Sequence, residues 1–130
     1  MAGFTDFSED LVLDFMFTAA TATRPTAWYV ALYTVAPSET GGGTECSGTA
    51  YVRQSAAFTV SGTAPTQAAN TAAIEFPTAG NAWGTIVAAG VFDALSAGNL
   101  LAFANLTTSK VIDTGDVLRF NTGTLVITLD

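Results

Sequence analysis

The chain has 130 residues, 49% hydrophobic and only 12% charged, with 4 basic and 11 acidic side chains and a formal net charge of −7. The length favours one domain, and the few scattered basic residues predict that the protein binds neither nucleic acid nor an anionic membrane surface. Because the usual charged share is about 25%, we expect a partner to cover part of the weakly charged surface.

An amphipathic helix is predicted near the start of the chain. Asp6 followed by Glu9 resembles a capping box, and a helix is expected from about Ser8 to Ala19, ended before Pro25. Apolar residues recur at helical spacing within it: Leu11, Val12, Phe15 and Met16. One helix cannot bury such a stripe alone, so this one is expected to pack on the domain or on a neighbouring subunit.

About eight short strands are predicted after the helix. They are the runs 27–34, 50–53, 56–60, 71–76, 84–93, 100–106, 117–121 and 125–129. Thr122 and Gly123 are expected to form a hairpin turn between the last two, and Gly62 and Pro65 to lie in a loop. Since no helical pattern separates these runs, the fold is predicted to be mainly β, an antiparallel, jelly-roll-like β-sandwich. Residues 1–25 are predicted as a helical arm and 26–130 as the sandwich of a single domain.

The motifs that could carry chemistry each have a simpler structural interpretation. The glycines Gly41 to Gly43 do not lead into the lysine and helix of a phosphate-binding loop, so they are interpreted as an exposed connection. Asp113 and Asp116 flank a glycine and are ordinary turn residues, while Asp93 is expected to stabilise a turn at a strand end. The only cysteine, Cys46, is interpreted as an incidental loop thiol beside an acidic neighbour.

Nothing in the sequence assembles an enzyme site. The chain has no histidine, which removes the commonest general base and metal ligand, and a lysine-assisted serine would depend on Lys110 alone. We therefore predict no catalytic residue, no metal site and no cofactor. The aromatic residues could form a sugar-binding face, but their strand positions favour core packing: Trp28, Tyr29, Tyr33, Tyr51 and Trp83.

Four segments together resemble a family of small tailed-bacteriophage virion proteins, often labelled tail fibre proteins. They are the stretch Trp28 to Pro37, the "E.sG..YaRq" pattern at Glu45 to Gln54, the "aWGt" and "FDa" block at Ala82 to Leu101, and the closing Gly115 to Leu129. The match covers nearly the whole chain, although Ala97-Gly98 stands where the family commonly has two glycines. The resemblance implies a structural virion protein with no catalytic residues.

Three functional hypotheses follow from the composition and the resemblance. The first is a capsid decoration or cement protein, seated on the outer surface of the capsid, that stabilises contacts with the major capsid protein. The second is a small neck or tail fibre component, and the third a carbohydrate-binding module that contacts the host surface. In each case we expect assembly in the host cytoplasm, because the acidic N-terminal stretch lacks the basic region of a signal peptide. A homo-oligomer, preferably a trimer, is also expected.

Overall fold

The computed structural model describes residues 2–63 and 66–129, and its largest element is an antiparallel sheet. Its strands in spatial order are β1 (Ala2–Phe4), β9 (Leu100–Ile112), β8 (Gly84–Phe92), β2 (Trp28–Val35) and β3 (Thr44–Glu45), with β4 (Gln54–Ala56) also paired to β2. The register between β2 and β8 places Val30 opposite Val91 and Leu32 opposite Ala89, so these four side chains share one face.

Two smaller antiparallel sheets accompany the large sheet, and the two-stranded one packs on this face. One contains β5 (Phe58–Ser61), β6 (Thr66–Asn70) and β11 (Val126–Leu129), and the other contains β7 (Ile74–Glu75) and β10 (Arg119–Phe120). The main core joins large-sheet residues to residues in and beside the two-stranded sheet, including Leu32, Ile86, Ile74, Phe76 and Leu118. Each such buried apolar side chain contributes about 1.5–3 kcal/mol relative to an exposed one.

The helix α1 (Asp6–Phe17) precedes the second strand and begins and ends two residues earlier than predicted. Its N-cap is Thr5, whose side chain makes no capping hydrogen bond. The predicted capping box is therefore wrong: Asp6 and Glu9 both lie within the first helical turn, where their charges suit the positive end of the helix dipole.

The predicted class is confirmed, because the described chain is mainly β, with antiparallel sheets and one helix near the N-terminus. The strand count was wrong, since the described residues contain eleven strands rather than about eight. Three strands were missed: β1, β3 and β6. The strand β6 has the sequence TQAAN, which has little intrinsic strand preference, but β5 and β11 pair with it on both sides.

Two further local predictions were wrong. Residues 51–53 are irregular, and pairing with β2 begins only at Gln54. The chain does turn at Thr122 and Gly123, but the flanking strands do not form a hairpin, because β10 pairs with β7 and β11 pairs with β6. The predicted loop includes Pro65, which lies outside the described residues, whereas Gly62 follows the end of β5.

Candidate assembly surface

The first half of α1 is fixed to the edge of the large sheet. The Thr5 backbone N–H donates to the Leu101 carbonyl at 3.1 Å, and the Ser8 hydroxyl donates to the same carbonyl at 2.7 Å. The Thr5 hydroxyl also donates to the Leu100 carbonyl. Thr5 and Ser8 are both buried, so these bonds anchor the start of the helix against β9.

The second half of α1 is exposed although it is strongly apolar. Four side chains, which we call the helix-end cluster, are open to solvent: Leu13 at 54%, Phe15 at 77%, Met16 at 64% and Phe17 at 75%. Taking about 200 Å² for a fully exposed large side chain, the cluster presents roughly 500 Å² of surface. Because successive residues of a helix are rotated by about 100°, this area surrounds the end of α1, with Phe15 and Met16 on one side and Leu13 and Phe17 on the other.

An apolar recess of about 470 Å³ lies beside the anchored half of the helix. It opens between α1, the large sheet and the three-stranded sheet, and its lining includes Phe4, Leu11, Val12, Trp28, Val60 and Ile127. Phe15 and Met16 follow Leu11 and Val12 by four residues each and therefore lie on the same helix face, one turn farther along. Phe15 and Met16 thus continue the apolar lining of the recess along α1, whereas Leu13 and Phe17 lie on the other side of the helix.

The glycine-rich segment is a connection, as predicted. Ser38 and Gly41 exchange backbone hydrogen bonds at 2.9 Å, and Gly41, Gly42 and Gly43 all have positive φ. A side chain at Gly43 would place its Cβ 2.6 Å from the Val35 carbonyl oxygen, so this turn requires glycine. The carboxylates of Asp6 and Glu39 line the adjacent cleft, where they would repel phosphate.

A buried arginine beneath this part of the fold was missed by sequence reasoning. The Arg53 guanidinium donates to Glu45 Oε2 at 2.9 Å from Nε and to Oε1 at 2.7 Å from Nη2. Its Nη1 donates to the Ala94 and Ala97 carbonyls, and its carbon Cζ lies 3.6 Å from the Phe92 ring centroid. Arg53 therefore joins β3 to the loop that follows β8.

The carboxylate of Glu45 is held in its ionised form. Burial alone would raise its pKa, but hydrogen bonds from Arg53 and Tyr51 and the positive charge of Arg53 leave that pKa below its ordinary value. The Tyr51 hydroxyl donates to Glu45 Oε2 at 2.8 Å and accepts the Leu32 N–H at 3.0 Å. Glu45, Tyr51 and Arg53 are the E, Y and R of the "E.sG..YaRq" pattern. That pattern is the sequence signal that could have indicated this network.

The remaining predicted site residues have structural positions. Cys46, interpreted as an incidental loop thiol, does follow β3 in a loop but is buried in the core, where burial raises its pKa and the nearby charge of Glu45 raises it further. The predicted turns are confirmed, since Asp116 accepts the Asp113 N–H at 2.9 Å and Asp93 accepts the Asn99 N–H at 2.7 Å.

The aromatic residues considered for sugar binding do not share an exposed face. Trp83 is buried, donates to the Thr49 carbonyl at 2.9 Å and packs edge-on against Tyr51, which in turn stacks on Phe76. Tyr33 is also buried, on the opposite face of the large sheet. The core-packing interpretation is therefore confirmed for Trp83, Tyr51 and Tyr33.

A comparison with protein-family models matches residues 3–128 to the family described as podophage GP4 fiber I protein gp80. The chain belongs to this family. The match confirms the resemblance to small tailed-phage virion proteins and supports a phage virion structural protein. A comparison with curated proteins finds no significant match.

The described part of the chain holds neither a metal-binding group nor a membrane-spanning helix. Within residues 2–63 and 66–129, no three histidine, cysteine, aspartate or glutamate residues come together as a metal-binding group. In the same part of the chain, no helix is both long and apolar enough to span a membrane.

Proposed function

We propose that the protein is a non-enzymatic structural subunit of a tail-associated fibre. The observation that carries this proposal is the match to the fiber I family over residues 3–128, nearly the whole chain. The same match favours the fibre hypothesis over the capsid decoration hypothesis, because the family description refers to a fibre protein. Lack of histidine throughout the sequence supports a role without acid–base catalysis.

The surface of the protein supports a role in assembly. Phe15 and Met16 of the helix-end cluster lie next to the recess, and burying these exposed side chains at a contact within the particle would remove apolar area from water. The carboxylates of Glu45, Asp93 and Asp116 already make hydrogen bonds that hold the fold together. Contact with other virion proteins is the partner chemistry that this surface fits best.

The position in the particle is tested by counting copies and locating them. Quantitative mass spectrometry of purified virions should give far fewer copies of this chain than of the major capsid protein, and gold-labelled antibodies should mark the tail region. A copy number close to that of the capsid subunits, with label spread over the shell, would contradict the fibre proposal and favour capsid decoration. Antibody raised against the major capsid protein provides the matched labelling control.

A further inference from the structure

We propose that the cleft between the start of α1 and the glycine-rich segment, residues 38–43, binds a neutral saccharide through its hydroxyl groups. Such a site adds a binding activity to the proposed structural role, and it does not depend on where in the particle the chain lies. This polar cleft has a volume of about 470 Å³, within the range of about 300–1,000 Å³ that is usual for sites of small ligands. Of the aromatic residues considered for sugar binding from the sequence, only Tyr33 lines it.

A buried hydroxyl without a partner points to a ligand in the polar cleft. Tyr33 is only 3% exposed, yet it lines the cleft, and its hydroxyl makes no hydrogen bond with the residues that the structure describes. Every fully buried side-chain oxygen and nitrogen in this part of the chain has a partner, so the Tyr33 hydroxyl keeps its contact with solvent at the cleft. Burial and the nearby charge of Glu45 raise the pKa of Tyr33 to about 12, so the hydroxyl is protonated at neutral pH and can donate to a ligand.

The hydrogen-bond acceptors of the polar cleft come from three separate segments. Asp6 lies in the first turn of α1 and Glu39 in the glycine-rich segment, and the Asp6 backbone N–H donates to the Glu39 carbonyl at 3.0 Å, which holds the two segments together. Neither carboxylate belongs to an ion pair of the described chain. The Asn99 side chain is oriented by Asp93, to which its Nδ2 donates at 2.9 Å, and its Oδ1 is left as a further acceptor.

This combination of a donor with several acceptors favours a ligand rich in hydroxyl groups. The two carboxylates would repel an anion, and a cation can only donate, so it would leave the Tyr33 hydroxyl without an acceptor. A saccharide hydroxyl does both, because it donates to a carboxylate and accepts from the phenol. The rings of Phe7, Phe92 and Tyr33 also belong to the lining and offer apolar surface to the C–H face of a sugar ring.

The tyrosine is held in place by the strand beside it. A Cβ at Gly90 of β8 would lie 3.1 Å from the Tyr33 ring and 2.7 Å from Leu100, so the absence of a side chain at Gly90 leaves room for both residues. Leu100 packs against the buried cluster that contains Tyr33 and lines the same cleft. A site that is formed before the ligand arrives loses less free energy to ordering on binding.

The test is a nuclear magnetic resonance titration of the isotope-labelled full-length protein with neutral monosaccharides. The probes are D-glucose, D-galactose, D-mannose, L-rhamnose and N-acetyl-D-glucosamine. At least one of them should shift the backbone amide signals of Gly42, Gly98 and Asn99 in a saturable way. Tyr33→Phe and Glu39→Gln should each weaken this binding by about tenfold, because each removes one hydrogen bond to the sugar. The spectra of both free variants should otherwise match that of the wild type, which shows that the fold is retained.

Matched controls remove the same chemical groups outside the polar cleft. Tyr29→Phe deletes the hydroxyl of another tyrosine of β2, and Asp10→Asn removes a carboxylate of α1. Neither residue lines the cleft, so both variants should bind sugar as the wild type does.

Three results would overturn the proposal. The first is the absence of a saturable shift at these amides with every sugar probe. The second is a Tyr33→Phe variant that binds sugar as tightly as the wild type. The third is saturation of the same amide shifts by methylammonium chloride without any response to the sugars, which would make the cleft a site for a cation.

Discussion

Replacing Arg53 by methionine tests the buried ion pair that joins β3 to the loop after β8. Methionine keeps an apolar stem of similar length but removes every hydrogen bond of the guanidinium. Four contacts are lost at once: two to the Glu45 carboxylate and one each to the Ala94 and Ala97 carbonyls. The contact of the cation with the Phe92 ring is lost as well.

The expected cost follows from the burial of the two partners. The Arg53 side chain is 7% exposed and that of Glu45 is 27% exposed. Removing one member of a buried ion pair typically costs 3–5 kcal/mol, because the other charge is left without its partner. Glu45 retains some contact with water, so we expect the lower end, about 3 kcal/mol of the free energy of unfolding.

The assay is equilibrium unfolding in urea, with Arg119→Met as the matched control. Arg119 pairs with Glu75 at 3.3 Å, but both side chains are more than half exposed, so this variant should lose less than about 1 kcal/mol. The double variant Arg53→Met/Glu45→Gln should be less destabilised than the sum of the single variants, because it removes the stranded charge. Equal losses for the Arg53 and Arg119 variants would refute the reasoning.

Three further predictions concern the same region of the fold. Ala97→Gly should raise the free energy of unfolding by about 0.5–1 kcal/mol in urea titration, because Ala97 has a positive φ of 53°. The adjacent Gly98→Ala should lower the free energy of unfolding, since the added Cβ would lie 2.5 Å from an Asp93 carboxylate oxygen. Changes of the same sign in both variants would contradict this reasoning. Because the pKa of Glu45 is lowered in the folded protein, its ionised carboxylate stabilises the fold at pH values above the ordinary carboxyl pKa of about 4.3, and this stabilisation is lost as the pH falls through the folded-state pKa. Glu45→Gln should therefore flatten the acid side of a plot of unfolding free energy against pH. An unchanged acid side would assign the loss of stability to other carboxylates. Buried Cys46, with its raised pKa, should react with a thiol reagent only under unfolding conditions, and rapid labelling of the native protein would show that this part of the core opens.

The class of the fold was predictable because it depends on local patterns. The long strands β2 and β8 were found close to their observed bounds, since uncharged runs rich in branched residues are recognisable without a partner. The helix was also found, from the spacing of Leu11, Val12, Phe15 and Met16. The short strands β1 and β3, of three and two residues, carry too little pattern to be recognised without the strands they pair with.

The turn before β11 shows where local reasoning ends. Thr122 and Gly123 do form a turn, as their residue types indicate, but the strands on either side join different sheets. A turn motif predicts that the chain reverses direction, but it does not predict with which strand each flanking segment pairs. In this fold β11 gains its partner from β6, about 60 residues earlier in the chain, through pairs such as Val126 with Ala69.

The mainly β class, the amphipathic helix and the virion family could be predicted from the sequence, because they depend on residue composition and on patterns along the chain. The covered part of the helix stripe, the core position of Cys46 and the burial of Arg53 became known from the folded chain alone. Each of these depends on residues distant in sequence: the loop carbonyls that hold Arg53 lie more than 40 positions away. Burial and ion pairing arise when such segments meet, so the apolar end of α1 became visible as an uncovered surface only after the sheets had been assembled around it.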